Sequence, residues 1–243
     1  MGPAEDTGRG GGGGLTTTLP AVRLVLASAS PARLAVLRAA GVEPLVHVSG
    51  VDEDAVAAGL ADPTPAELVA ALAEAKARAV VAALGRREPD AVVVGCDSML
   101  SMTGPDGPQV VGKPGSVELA RARWTAMAGG QGDLLTGHAV LRLTDGIVTA
   151  SATGVRSTTV RFATPSDREL SAYLATSEPL AVAGGFTLDG LGGWFVEGVD
   201  GDPSSVIGIS LPLTRQLLAD VDVSVVDLWT ATNGQSNGGG STR

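Results

Sequence analysis

The sequence predicts an α/β protein, a mixed sheet with flanking helices, and three observations carry that prediction. Apolar runs too short for helices, Leu24 to Ala27 and Val92 to Val94, stand directly before turn, capping or polar residues. Between such runs lie longer stretches with helix-start signals, among them the capping boxes Thr64-Pro-Ala-Glu67 and Ser166-Asp-Arg-Glu169. Hydrophobic residues make up 44% of the chain but aromatics only 3%, so the core is expected to rest on Ala, Val and Leu.

The first element is a strand over Leu24 to Ala27 that runs into a helix. Ser30 suits the N-cap, Pro31 the first helical position, and Gly41 a left-handed end. Ser28, Ser30 and Arg33 gather at this junction, and a cation in the first turn opposes the helix dipole unless an anion is bound there. The alternative is a plain Ser cap with Arg33 in solvent. Val46 to Val51 reads as a second strand leading into Asp52-Glu53-Asp54, which either holds a hard cation such as Mg2+ or forms a solvated turn. The helix opened by Thr64 is expected to run to about Leu84, with Lys76 on its apolar line beside Leu72 and Val80. Lys76 therefore either snorkels to water or faces a cleft.

Val92 to Gly95 suits a strand covered on both faces, and Cys96-Asp-Ser98 stands at its carboxyl end. Ligands of open α/β sheets bind outside strand carboxyl ends, which singles out Asp97; its other reading is a loop tie. Turn residues from Thr103 to Pro108 predict a hairpin that delivers Gly112-Lys-Pro114, where Lys113 either reaches a phosphate or lies exposed. Ser116 then caps a helix with Ala120, Trp124 and Met127 on one face. Strands are expected from Leu134 to Leu143, Ile147 to Thr153 and Val155 to Phe162, followed by a helix from Ser166 to about Thr176. The glycines between Ala183 and Gly193 mark backbone held near a ligand or a tight hairpin, with Asp189 on that wall. Ser205 to Pro212 is expected to be a strand entering a last helix over Leu213 to Leu218.

Three segments are expected: a disordered Gly-rich tail over residues 1–20, one domain over 21–229 and a second disordered tail over 230–243. A formal charge of −9 argues against a nucleic-acid partner, which needs clustered Lys and Arg. The lone Cys96 excludes an internal disulfide, His47 and His138 are isolated, and no apolar run is long enough to span a bilayer. The protein is expected to be cytoplasmic, with no membrane partner.

Ser28-Ala-Ser-Pro-Ala-Arg33, Asp52-Glu53, Glu74-Ala-Lys76, Gly95-Cys-Asp-Ser98, Gly112-Lys-Pro114, Thr136-Gly137, Glu178-Pro-Leu180, Ala183-Gly184 and Ser205-Val-Ile-Gly208 occur in this order. Over roughly Val22 to Val226 the chain resembles the Maf family of nucleoside triphosphate pyrophosphatases, also known as septum-formation inhibitors. The resemblance implies two lobes around a central cleft, of the Maf and ITPase-like type, often in a homodimer. It also implies cleavage of a nucleoside triphosphate to monophosphate and pyrophosphate with a divalent metal, Mg or Mn. Carried over by position, Asp97 is the proton acceptor, Arg33, Lys76 and Lys113 contact phosphate, and Glu53 with Asp97 holds the metal. Ser28, Ser30, Ser98 and Asp189 complete the expected substrate contacts. The chain departs from the pyrimidine-acting branch at Ala32, Ser98 and Asp189, where that branch has Arg, Thr and Gln. The 7-methyl-GTP branch has an aromatic, Gln and Glu at those places, and Ala181-Val182 replaces an acid and a basic residue of the family. The rival expectations are a non-catalytic nucleotide-binding regulator of cell division and a phosphomonoesterase.

Overall fold

Three long strands form the spine of the computed structural model, which describes residues 22–104 and 107–229. They are β3 (Ala91–Gly104), β5 (Gln131–Thr144) and β6 (Ile147–Phe162), antiparallel in that order. The shorter strands are β1 (Arg23–Leu26), β2 (Leu45–Val46), β4 (Gly107–Val111) and β7 (Val196–Asp200). The seven-stranded sheet runs β2-β1-β3-β5-β6-β7, with β4 added to β3. β1 lies parallel to the first part of β3, Leu26 opposite Val94, whereas β4 lies antiparallel to its last part, Leu100 opposite Val111. Between these pairings, Gly95 to Met99 are bonded, among the described residues, only to β5. The expected disordered tails, and Pro105-Asp106 of the hairpin tip, lie outside the described residues.

Helices cover both faces because the strand residues are apolar on both. On one face Leu24, Leu26, Val92, Val94 and Val140 pack against α1 (Pro31–Ala39) through Leu37 and against α7 (Leu211–Ala219) through Leu213 and Leu217. On the other, Val25, Val93, Ala139 and Leu141 meet Ala73, Ala77 and Val80 of α3 (Pro65–Leu84). This lobe is aliphatic, as composition suggested. The far ends of the long strands build a second lobe with α4 (Val117–Met127) and α5 (Asp167–Ala175). Its core is aromatic: Trp124 meets Phe162, Tyr173 and Phe195 edge-on, with ring centroids 5.9, 5.9 and 5.8 Å apart, and Phe162 meets Phe186 at 5.0 Å. The few aromatic residues are thus concentrated where the composition alone gave no reason to look.

The capping signals place the helices well. Thr64 and Ser166 each close a reciprocal capping box, Ser116 and Ser30 accept from backbone N–H groups, and Gly41 ends α1 at φ 82°. Three expectations are corrected, and one strand was not expected. The strand expected over Val46 to Val51 ends at Val46, and Asp52 instead caps a short helix, α2 (Glu53–Ala58), by accepting from Ala55 N–H at 3.0 Å. Val155 to Phe162 is no separate strand but the continuation of β6. β7 had no expectation at all. Ser205 to Pro212 is not a strand: Asp202 caps α6 (Pro203–Ile207), Gly208 at φ 128° breaks it, and Ser210 caps α7. The β-branched pair Val206-Ile207 imitates a strand, but two side-chain caps and two prolines at helix starts outweigh propensity.

His138, fully buried on β5, fastens this region. Ser210 N–H donates to Nε2 at 2.8 Å, so the ring proton sits on Nδ1 and is donated to the Thr136 carbonyl at 3.0 Å. Burial pushes the imidazole down to about 4 from an ordinary 6.5, against the smaller upward pull of the Thr136 bond. Between these values the unfolded chain binds a proton that the folded chain refuses. This contribution is therefore whole above pH 6.5 and is lost as pH falls toward 4. Urea titrations at pH 7 and pH 4 should show about 3 kcal/mol of acid-induced loss that is missing from His138→Gln.

Candidate active site

The unpaired edge of β3 opens a cleft of about 790 Å3 at the carboxyl end of β1. Adjacent strand residues point to opposite faces, yet with no neighbouring strand on that side both Asp97 and Ser98 reach the same space. Each meets a different set of partners.

On the α3 face, Asp97 follows Val93 and Gly95 in the alternation. Gly95 and Gly137 have no side chain because the helix backbone lies directly on them: a Cβ at Gly95 would collide with the Ala73 carbonyl, and one at Gly137 with the Val69 carbonyl. That close approach brings Lys76 to the sheet. Its Nζ donates to Asp97 Oδ1 at 2.6 Å and pairs with Glu53 Oε1 at 2.6 Å. Lys76 is 9% exposed and Asp97 6%, so the lysine faces the cleft rather than snorkelling away from it. Burial pushes the Asp97 carboxyl up, and the cations Lys76 and Arg33 offset this only in part. Burial also pushes Glu53 up, but its hydrogen bond to Lys76 and the charges of Lys76, Lys113 and Arg33 prevail, leaving it low. Two carboxylates sharing one lysine thus have their proton affinities driven apart.

On the opposite face, Arg33 is held from three sides. Nε donates to Gly208 O at 2.8 Å, Nη1 to Ser28 Oγ at 3.1 Å and Nη2 to Ser98 Oγ at 3.2 Å. A guanidinium has five N–H groups, so among the described residues one hydrogen on each terminal nitrogen is left to offer a ligand. Ser30 caps α1 through the Arg33 N–H at 3.4 Å and also lines the cleft.

The second lobe contributes Lys113 and Asp189, both exposed on the cleft wall. The loop of Lys113 is fastened by Arg123, which donates to the Gly112 carbonyl, and by Gly115 N–H to Leu180 O at 3.2 Å. The loop of Asp189 is fastened by Glu178, which accepts from Thr187 Oγ1 at 2.5 Å, Leu191 N–H at 3.2 Å and Gly192 N–H at 3.1 Å. The glycine-rich stretch around it forms short 3-10 turns over Ala183–Gly185 and Leu191–Phe195, not a hairpin. Ser28, Ser30, Arg33, Glu53, Lys76, Asp97, Ser98, Lys113 and Asp189 therefore all line one cleft, whereas Asp52 and Asp54, expected beside Glu53 as part of one cation site, do not. Arg123, Glu178 and the backbone of Gly208 were missed. Arg123 looks like an ordinary helix residue, and Glu178 stood out only as part of a Glu-Pro-Leu string.

These features define a class: an α/β protein whose cleft concentrates cations for a polyanion and sets two carboxylates beside it. Comparison with known proteins narrows the class. The family model described as Maf-like protein matches residues 23–221, and the chain belongs to that family. A protein named nucleoside triphosphate pyrophosphatase from Saccharopolyspora erythraea is 68% identical over 208 residues, 86% of this chain and 97% of that one. Proteins of the same name from Rhodococcus opacus and Mycobacterium marinum are 60% and 55% identical, over 88% and 86% of this chain and 98% and 97% of their own.

The contact of α3 with the sheet is testable. Gly137→Ala should push the helix off β5 and cost about 1 to 3 kcal/mol of stability, read as a lower urea midpoint, because backbone cannot yield as a flexible side chain would.

Proposed function

We propose that this cleft hydrolyses nucleoside triphosphates between the α and β phosphorus atoms, releasing the nucleoside monophosphate and pyrophosphate. The observation that carries the reading is the Lys76 ammonium clamped between Glu53 and Asp97, beside an Arg33 with two free donors. The names of the relatives agree with it.

On this reading Arg33 and Lys113 bind the polyphosphate and stabilise charge on the departing pyrophosphate. Asp97, whose burial raises its proton affinity, orients a water and accepts its proton as the new P–O bond forms and the bridging P–O bond breaks. Lys76 keeps both carboxylates aimed into the cleft. It occupies one oxygen of each, and the second oxygens are hard donors of the kind Mg or Mn accepts together with substrate phosphate. Glu53 and Asp97 would hold that ion, which would supply neutralisation of phosphate charge. Ser28, Ser30 and Ser98 serve the phosphate end, Asp189 the base. The lone, buried Cys96 suits a reducing compartment such as the cytoplasm; among the described residues no helix is long and apolar enough to cross a membrane.

Asp97→Asn should keep the fold and cut turnover by roughly 10²-fold or more, measured as pyrophosphate release. Arg33→Ala and Lys113→Ala should each weaken transition-state binding by about 2 to 4 kcal/mol, read from kcat/KM. Orthophosphate as the product would favour a phosphomonoesterase, and binding without turnover a regulator of division.

Selectivity follows the hydrogen-bonding groups near the base. Ala32 offers no donor there, and Asp189 is an acceptor suited to the N–H groups of guanine or to N3–H of uracil and thymine. A substrate panel should show several triphosphates cleaved, pyrimidine ones included, with ATP among the poorer. Asp189→Ala should change that ranking; an unchanged ranking, or a preference for ATP, would overturn the assignment.

A further inference from the structure

Thr136 lies on β5 opposite Ser98, is fully buried and does not line the cleft. Its hydroxyl nonetheless connects to Arg33 through Ser98. The Thr136 hydroxyl has one hydrogen, which it donates to the Ser205 carbonyl at 3.0 Å. At the 3.0 Å contact between the two hydroxyls, Thr136 Oγ1 must then be the acceptor and Ser98 the donor. With its own hydrogen committed, Ser98 presents only lone pairs toward Arg33 and accepts from Nη2 at 3.2 Å. The chain Arg33 to Ser98 to Thr136 to Ser205 therefore has a single direction. It begins in the cleft and ends on α6, one helical turn before the Gly208 carbonyl that receives Arg33 Nε. Without the Thr136 oxygen, Ser98 would be free to turn its proton toward the guanidinium or toward a bound ligand.

We propose that Thr136 is a positioning residue for polyphosphate binding: through Ser98 it fixes the guanidinium so that its two free donors face the ligand. The inference rests on the pyrophosphatase reading for the identity of the ligand, not for the geometry. A purely structural role for this hydroxyl would lower stability without selecting against the charged end of the ligand.

The probe is pyrophosphate with Mg2+, which carries the phosphate charge without a base, and its binding is measured by calorimetry alongside nucleotide hydrolysis. Thr136→Val keeps the shape and removes the hydroxyl. It should weaken pyrophosphate binding and lower the nucleotide kcat/KM by roughly tenfold, the size of one misdirected hydrogen bond to a charged group. Thr136→Ser should restore both. In an Arg33→Ala background Thr136→Val should add less than about twofold, because the group it positions is gone. Unchanged pyrophosphate binding, failure of Ser to rescue, or an undiminished effect in the Arg33→Ala background would each overturn the proposal. Should Thr136→Val not fold, Ser98→Ala removes the same link and is judged by the same coupling to Arg33. A wild-type protein that binds pyrophosphate but releases none from any triphosphate would sink the hydrolytic reading, while the binding series would still decide the role of Thr136.

Discussion

On the side of β3 that faces β1, hydrogen bonding among the described residues stops at Val94 and resumes at Leu100, and the arrangement of the cleft depends on that interruption. A strand with neighbours on both sides would bury Asp97 under one layer and Ser98 under the other. Here the missing neighbour lets residues on opposite faces share one space. The other edge of the same segment is bonded to β5 at Cys96, Asp97 and Ser98, so the open edge is rigid. Exposed backbone would ordinarily be a liability at a sheet edge, but the gap is only about five residues long and flanked by α1, α2 and the loop before α4.

Rigidity alone does not explain the electrostatics. An ion pair buried as deeply as Lys76 and Asp97 loses much hydration, and replacing such a pair by apolar residues is often neutral or stabilising. Stability is therefore a poor reason for its presence. The arrangement does set the two acids apart: Glu53 is half exposed and drawn down by three cations, whereas Asp97 is buried and pushed up. α3 imposes the difference by lying on Gly95 and Gly137, where only hydrogen atoms fit beneath its carbonyls.

Much of this was legible in the chain because it is encoded locally. Capping boxes at Thr64 and Ser166, the strand-to-helix junction at Ser30-Pro31 and the run Val92-Val93-Val94 each declare their structure within a few residues. The errors fell where local signals conflict. Val206-Ile207 carries strand propensity inside a helix set by Asp202 and Pro203, and Asp52-Glu53-Asp54 looks like one acidic cluster although its members divide between a cap, the cleft and solvent. Lys76 could not be assigned from helical spacing, since the same face serves the core and the cleft; only the register of α3 against β3 decides between them. The fastening roles of Arg123 and Glu178 depend on loops that meet only in three dimensions.

The two lobes divide the side chains that line the cleft as they divide the core. Arg33, Glu53, Lys76 and Asp97 stand on helices or on the central strand of the aliphatic lobe, with the three more deeply placed groups held by partners within 3.2 Å. Asp189 stands on a loop of the aromatic lobe, fastened at its ends by Glu178 and backed by the packing of Phe186 on Phe162. Phosphoryl transfer requires charges fixed to a fraction of an ångström, and secondary structure supplies that precision. Recognition of a base requires only a few hydrogen-bonding groups on a wall, which a loop can present and exchange without disturbing the sheet. On the proposed function, a loop residue such as Asp189 could therefore be exchanged while the cations and acids around β3 stay where the interrupted sheet puts them.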